Sequence, residues 1–386
     1  MSGVLPRAQQ AGLFAFVSAL FVLVFAVFLR VQGQSDLDTH IGYASNIQSL
    51  RDIQSPHFLL QLLIKALYAV GLPYRVAMAL LLGACYGGMA VLIARELQRR
   101  GARLSVGMSW LMVTSVLIAS HVFLFTAARP NFYLGYFVPI AYHNPTQQLC
   151  KLFGLWIWFR YCAHFLGKEV PSWRQAAGTG VLCVLSAISK PSFLIAFLPL
   201  AGCIALVDLA RLRIETFLRF AVAVAAPAAL VLLAQAVLTY GAAARGTLLF
   251  APFEVFDPYQ TLLKLPLSIL FPLATLSALA IGGPRPTADH PGRSWSYLAV
   301  WLFAAIALFE TLFLAEANHV SEGNFAWTGQ MGVFLLYVES MLWLLCRPRP
   351  LSRRHAITIW SIFGLHVVSG LIWYGVVFLP ARATYL

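Results

Sequence analysis

Two carboxylates and an imidazole lie close together in the first polar stretch of the chain. Asp36, Asp38 and His40 directly follow an apolar segment of membrane-spanning length. Charged groups beside a membrane are costly unless they face water. One carboxylate could deprotonate an acceptor hydroxyl or hold a divalent cation, whereas a solvated loop with a helix N-cap is the structural alternative. In a strand the two carboxylates would point the same way, and in a helix they would diverge.

Two further candidates lie beside prolines. His57 follows Pro56, which is expected to begin a short amphipathic helix with His57 in its first turn. Lys190 precedes Pro191 in an otherwise apolar stretch. This lysine either extends its ammonium group to the membrane interface or binds an anion near the lipid headgroups.

Two later connections mix aromatic and polar residues. The first contains Arg129 and, before the next apolar segment, His143 and Asn144. Aromatic faces with amide and imidazole donors suit sugar rings, but aromatic residues also concentrate at membrane interfaces, and Asn144 could cap a helix. The second connection is either a hydrated loop or a further part of a substrate site, with these candidates: Glu316, His319, Glu322, Asn324 and Trp327.

The composition excludes a soluble globular protein. Of the 386 residues, 60% are hydrophobic and only 11% are charged, whereas soluble domains carry roughly a quarter charged residues. The net charge of +13 does not indicate nucleic-acid binding, because the basic residues cluster between apolar segments, as in the runs 95–103 and 347–354, which is typical of cytoplasmic loops. The six cysteines form no CxxC pair, which argues against a zinc site or a disulfide framework.

The apolar segments predict an all-α, polytopic transmembrane helical bundle. With the N-terminus in the cytoplasm, about eleven spans alternate across the bilayer. The segment 57–72 is short and amphipathic, so we expect it to lie at the outer interface. We interpret residues 1–386 as one integral membrane domain. Its expected outer connections are 31–73, 127–147, 241–265 and 315–328.

Carboxylates also fall inside the predicted spans, at Glu310 and Glu339. Such groups are functional candidates by default. For Glu339 we favour a protonated carboxyl group that is hydrogen-bonded between helices. The sequence contains no P-loop, HExxH or GxSxG motif, which argues against a nucleotide-driven pump and a zinc membrane protease.

The layout of the first half of the chain resembles the GT-C-type membrane glycosyltransferases. A first span leads to an external acidic pair, here Asp36 and Asp38. A Pro-His start to an interfacial helix follows, here Pro56-His57, and a lysine stands at a proline break between two short helices, here Lys190-Pro191. Larger members often carry an external soluble domain or more spans, and this chain departs from them in that respect.

The resemblance implies an inverting transfer of a sugar from a polyprenyl-phosphate donor to a glycan, lipid or protein acceptor. The reaction would occur on the extracytoplasmic face of a bacterial inner membrane, in the synthesis of cell-envelope glycans or glycolipids. Asp36 or Asp38 would be the catalytic base, and Lys190, with Arg129 as the second candidate, would hold the donor phosphate. No organic cofactor is implied, and a divalent cation, Mg²⁺ or Mn²⁺, held by Asp36 or Asp38 is left open.

Three alternatives stay open at this point. A polysaccharide polymerase or ligase would also use a lipid-linked glycan, but such proteins usually depend on external arginines, which are few here. A transporter or flippase for lipid-linked sugars would show charged groups near mid-membrane and an internal repeat. Only Glu310 and Glu339 meet the first condition, and no repeat is visible. The third is a non-catalytic scaffold subunit.

Overall fold

The computed structural model describes residues 6–31, 36–53, 55–123, 136–140, 144–167, 169–241, 247–282, 291–317, 323–347 and 351–377. This part of the chain is mainly α-helical. The helices are α1 (Arg7–Val31), α2 (Asp36–Asn46), α3 (Leu59–Ala69), α4 (Tyr74–Arg99), α5 (Val106–Ile118), α6 (Pro145–His164), α7 (Trp173–Ser189), α8 (Ser192–Ala210), α9 (Ile214–Phe220), α10 (Ala226–Tyr240), α11 (Pro258–Ser268), α12 (Leu270–Gly282), α13 (Pro291–Phe313), α14 (Ala326–Cys346) and α15 (Arg353–Val377).

Two three-residue strands accompany the helices. Strand β1 (Leu248–Phe250) pairs in antiparallel fashion with β2 (Leu314–Glu316), and Leu249 lies opposite Ala315. The pair joins the region after α10 to the end of α13.

Long apolar helices dominate the bundle. Within the described residues, seven helices have the length and hydropathy of membrane spans: α1, α4, α8, the continuous segment Ile214–Tyr240, α13 from Trp295, α14 and α15. Large apolar side chains cover their outer surfaces, and Leu230 and Leu233 of α10 are 67% and 62% exposed. Water would not stabilise such surfaces. The predicted all-α, membrane-embedded architecture is therefore confirmed.

The predicted number of spans is not confirmed. The described residues contain seven candidate spans, or eight if the bent pair α11 and α12 counts as one. Helices α5 and α7 have 13 and 17 residues, fewer than the roughly 20 that cross a hydrocarbon core. Helix α6 has 20 residues, but it carries charged residues such as Lys151 and Arg160.

The apolar run 266–281, which the sequence predicts as one span, contains the end of α11 and most of α12, and these two helices meet at 62°. Pro272 has no N–H to donate to the carbonyl of Ser268, so the helical hydrogen bond is missing there. That carbonyl instead accepts a hydrogen bond of 2.8 Å from the hydroxyl of Tyr337. The N–H of Phe271 donates to Nε2 of His366 at 3.2 Å. Side chains of α14 and α15 thus satisfy the backbone at the bend.

Two glycines let α4 approach α1 closely. Gly83 and Gly87 are four residues apart and therefore lie on one face of α4. A Cβ atom on Gly83 would lie 2.7 Å from the carbonyl oxygen of Ser18, and one on Gly87 would lie 2.8 Å from that of Phe14. Such small-residue pairs are typical of packed helices in membranes.

A buried ion-pair network joins α4, α6 and α14. Arg100 donates to both carboxylate oxygens of Glu339, at 2.6 and 2.7 Å, and to Glu96 at 2.6 Å. The indole of Trp158 donates to Glu339 at 2.8 Å. We expected Arg100 in a cytoplasmic loop and Glu339 as a protonated carboxyl, but the two form a bidentate ion pair inside the bundle.

The chain reversals give the bundle two distinct ends. One end contains the start of α1 and the end of α4, joined by a 2.8 Å hydrogen bond from Arg95 to Gln10. The other end contains the end of α1 and the start of α4, where Arg75 contacts the carbonyl of Leu29 at 3.3 Å. The candidate site lies at this second end. Its assignment to the extracytoplasmic side stays a prediction.

Candidate functional site

The two carboxylates of the first polar stretch diverge because α2 begins at Asp36. Leu37 between them is fully buried and fixes the orientation of this helix. Asp38 accepts a 2.9 Å hydrogen bond from Arg75. Asp36 lies in the electrostatic field of Lys190: burial raises the pKa of Asp36 above its usual range, and the Lys190 ammonium offsets part of that rise. The pair therefore divides into one carboxylate held by arginine and one that faces lysine.

Lys190 occupies the break between α7 and α8. Its backbone is extended, with φ −170° and ψ 137°, and its N–H still donates to the carbonyl of Ser186 at 2.8 Å. The following Pro191 disfavours a helical conformation at Lys190. The thiol of Cys150 donates to the carbonyl of Lys190 at 3.3 Å. The backbone of the break is thus anchored to α6.

The ammonium group of Lys190 lies over an aromatic ring. Its Nζ atom is 4.4 Å from the centre of the Trp327 ring, a cation–π contact. It makes no hydrogen bond to any other residue in the described part of the chain, although an ammonium group has three N–H donors. Burial lowers the pKa of Lys190 to about 7, and the electrostatic interactions with Cys150 and, to a smaller extent, Asp36 counteract this shift. A cation with free donors is the chemistry of an anion site.

The two histidines beside Lys190 are uncharged at neutral pH. Burial, and then the Lys190 charge, lowers the pKa of His40 to about 4 and that of His57 to about 3. The Gln61 side-chain amide lies 2.8 Å from Nδ1 of His40. When the Gln61 amide is oriented with its oxygen towards Nδ1 of His40, the Gln61 nitrogen donates to the carbonyl of His57 at 2.8 Å. We call Lys190, Asp36, His40, His57 and Trp327 the Lys190 cluster.

His57 was expected in the first turn of the interfacial helix, but α3 begins only at Leu59. Pro56 and His57 therefore precede the helix, and a side chain of α10 holds this part of the chain. The amide of Gln235 in α10 donates to the carbonyl of Pro56 at 2.9 Å and to that of Ala187 at 2.8 Å. Nδ1 of His57 and Oε1 of Gln235 are buried without a partner. These two atoms can hydrogen-bond a ligand or water.

The first turn of α6 contributes two buried amides. Gln147 donates to the carbonyl of Trp327 at 2.9 Å, which ties α6 to the start of α14. Gln148 accepts a hydrogen bond of 3.0 Å from the hydroxyl of Tyr86. Both side chains are fully buried, and Oε1 of Gln147 and Nε2 of Gln148 have no partner. Buried amide atoms are rarely left unsatisfied, so a ligand or water is expected beside them.

The polar stretch 143–148 was a sequence candidate, but its two glutamines were not singled out as site residues, and Gln61 was not singled out because an amide inside an apolar run has no diagnostic spacing. The signal available was their position next to predicted site residues: Gln147 and Gln148 follow Asn144, and Gln61 follows His57.

Asn144 caps the start of α6. Its side-chain oxygen accepts from the N–H of Gln147 at 3.2 Å and from the hydroxyl of Thr146 at 2.7 Å. Pro145 follows as the first helical residue. The capping alternative is therefore observed for this residue, and its predicted contact with a substrate stays a prediction.

Glu316 and Asn324 contact each other. Glu316 accepts hydrogen bonds from the amide of Asn324 at 2.8 Å and from the hydroxyl of Tyr240 at 2.5 Å. These bonds tie β2 to the end of α10 and to the turn before α14. The described contacts of Glu316 and Asn324 support that turn and do not include Lys190.

Four predicted substrate-binding residues lie outside the described residues: Arg129, His143, His319 and Glu322. Within the described ranges, no three His, Cys, Asp or Glu side chains lie close enough together to hold a metal ion. Binding of a divalent cation stays a prediction. Within the Lys190 cluster, Asp36 is the carboxylate that could bind it.

Comparison with known proteins assigns no family. No protein-family model matches the sequence, and no curated protein matches it significantly. The resemblance to GT-C-type glycosyltransferases remains a hypothesis, and the functional argument rests on the residues described above.

Proposed function

We propose that this chain is a GT-C-type membrane glycosyltransferase that uses a polyprenyl-phosphate sugar as donor. The sugar would pass to an acceptor hydroxyl on the extracytoplasmic face of the membrane. One observation supports this best. The ammonium group of Lys190 has free N–H donors and interacts electrostatically with the carboxylate of Asp36.

Lys190 suits the phosphate of the donor. As the bond between the sugar and the phosphate breaks, negative charge develops on the phosphate oxygen, and a nearby cation stabilises that charge. The neighbouring imidazoles of His40 and His57 are uncharged at neutral pH. Lys190 is then the cation that the cluster offers. Lys190 lies between the end of α7 and the start of α8, and a lysine at the end of a membrane helix can reach the lipid headgroups.

Asp36 suits the role of general base. A base is most effective when its pKa lies near the operating pH, and burial raises the pKa of Asp36 in that direction. The carboxylate takes the proton of the acceptor hydroxyl while the hydroxyl oxygen attacks the anomeric carbon. The bond from that carbon to the phosphate oxygen breaks, and the lipid phosphate leaves with the electron pair beside Lys190. One displacement inverts the anomeric configuration.

Buried uncharged groups complete the arrangement for a sugar. The free amide atoms of Gln147 and Gln148 and Nδ1 of His57 include both donors and acceptors. Sugar hydroxyls both donate and accept hydrogen bonds. Trp327 adds an aromatic ring beside Lys190.

Binding of a polyprenyl phosphate to the purified protein in lipid nanodiscs tests the proposal. The variant is Lys190→Gln. We expect a loss of at least about tenfold in affinity, because a hydrogen bond to a charged group contributes about 1.5–3 kcal/mol. Uncharged polyprenol should bind the wild type and the variant equally.

Lys65→Gln is the matched control for this experiment. Lys65 also lies over aromatic rings, 5.8 Å from the ring centre of Tyr68, but its ammonium group donates to the hydroxyl of Tyr74 at 3.3 Å. It should retain the wild-type affinity. Equal affinity of the wild type and Lys190→Gln for the phosphate would contradict the proposed donor site.

A further inference from the structure

A separate apolar groove lies on the surface of the bundle between α8 and α13. It encloses a cavity of about 390 Å³. Its walls are formed by Leu200, Ile204 and Val207 of α8, by Leu298 and Leu302 of α13, and by the end of α6. Lys190 precedes the start of α8, whereas the α8 residues that line the groove run from Leu200 to Asp208, about 12–24 Å further along the helix at 1.5 Å per residue. The groove is therefore distinct from the Lys190 cluster.

The mouth of the groove carries two arginines with different surroundings. Arg213 donates to the carboxylate of Asp208 at 2.9 Å and to the carbonyl of Gly167 at 3.0 Å. Arg211 is exposed and lines the groove, and it forms no hydrogen bond or ion pair through its side chain within the described part of the chain. At the mouth, Asp208 thus neutralises Arg213, whereas the guanidinium of Arg211 is available to a ligand.

We propose that this groove binds a phospholipid with a negatively charged headgroup, with an acyl chain along α8 and α13 and the phosphate at Arg211. The groove opens on the side of a membrane-embedded bundle, so a lipid of the surrounding leaflet is its natural occupant. The apolar walls fit a hydrocarbon chain, and the free guanidinium complements an anionic headgroup. Trp295 at the same mouth is 56% exposed, and tryptophan is enriched where lipid headgroups meet hydrocarbon.

The groove contains its own reporter. Cys203 lines it and is exposed, whereas the other cysteines, Cys85, Cys150, Cys162, Cys183 and Cys346, are buried. A membrane-permeant maleimide should therefore label Cys203 selectively, and Cys203→Ala gives the background. A lipid chain in the groove slows the labelling by covering the thiol.

The experiment compares labelling rates in vesicles of phosphatidylcholine alone and in vesicles that also contain phosphatidylglycerol. For the wild type we expect labelling to be about fivefold slower with the anionic lipid, the factor that one basic residue near an anionic membrane contributes. Arg211→Gln should remove this difference, and Arg211→Lys should retain it.

Arg174→Gln is the matched control, because Arg174 is an exposed arginine at the start of α7 that does not line the groove. It should behave like the wild type. Equal labelling of the wild type in both kinds of vesicle would overturn the proposal. A difference that persists in Arg211→Gln, or that disappears in Arg174→Gln, would also overturn it, because the effect would then reflect the surface charge of the vesicle.

Discussion

The ammonium group of Lys190 lies over the face of the Trp327 ring, 4.4 Å from the ring centre. The contact joins the break between α7 and α8 to the start of α14. The ring attracts the positive charge but accepts no conventional hydrogen bond. The N–H donors of Lys190 therefore remain available to an anion. This relationship underlies the proposed donor site.

The first prediction separates the two carboxylates. Asp36→Asn should lower the transferase activity of the purified protein by about 10²–10⁴-fold, the usual contribution of a general base. Asp38→Asn should retain activity within about fivefold, because Asp38 pairs with the exposed Arg75 and such pairs contribute about 0–1 kcal/mol. Activity is measured as sugar transfer from a polyprenyl-phosphate donor. Full activity in both single variants and in the double variant would contradict the assignment of the base.

The second prediction concerns the pH dependence of donor binding. Burial lowers the pKa of Lys190 to about 7, so its cationic form predominates below this pH and is lost above it. Affinity for polyprenyl phosphate should be highest near pH 6 and fall by up to about tenfold per pH unit above pH 7, because binding must then supply the missing proton. Lys190→Arg, which stays charged, should flatten the profile. A flat wild-type profile from pH 6 to 9 would exclude Lys190 as the phosphate ligand.

The third prediction concerns the buried ion pair between α4 and α14. Arg100→Met should lower the free energy of unfolding by about 3–5 kcal/mol, because it leaves the carboxylate of Glu339 buried and unpaired. Both side chains are at most 5% exposed. Arg100→Met combined with Glu339→Leu should recover part of the loss, since no isolated charge remains from this pair. Denaturant unfolding in detergent measures both effects, and a double variant less stable than Arg100→Met would contradict this account.

The fourth prediction compares two helical glycines. Gly83→Ala should destabilise the bundle by about 1–3 kcal/mol, the usual cost of overpacking, because its Cβ would meet the backbone of Ser18 at 2.7 Å. Gly202→Ala in α8 should leave stability unchanged or slightly raised, because nothing lies within 4 Å of its Cβ position. Thermal unfolding in the same detergent compares the two. Equal effects would mean that the approach of α1 to α4 does not limit stability.

The membrane-embedded helical architecture could be predicted from the sequence because apolar runs are local. The interior charges could not. Arg100 belongs to a basic run that looks like a loop, and its burial depends on Glu339, which lies far away in the sequence and contacts it across the bundle. The bend after Ser268 likewise depends on the hydroxyl of Tyr337 from another helix.

Part of the candidate site was predictable for a similar reason. Asp36, His57 and Lys190 stood at segment ends expected on one side of the membrane, and the structure brings them together. The roles of the two carboxylates required the start of α2, since a one-residue shift would rotate both side chains about the helix axis. Asn144 shows the converse, because its residue type suited both a ligand and a helix cap and only the contacts distinguish them.

A structure of the protein with a bound polyprenyl-phosphate sugar tests the central claim most directly. The account predicts a phosphate oxygen at about 3 Å from Nζ of Lys190, with the sugar between that phosphate and the carboxylate of Asp36. A donor phosphate bound elsewhere, with the ammonium group of Lys190 still in contact with Trp327 alone, would contradict it.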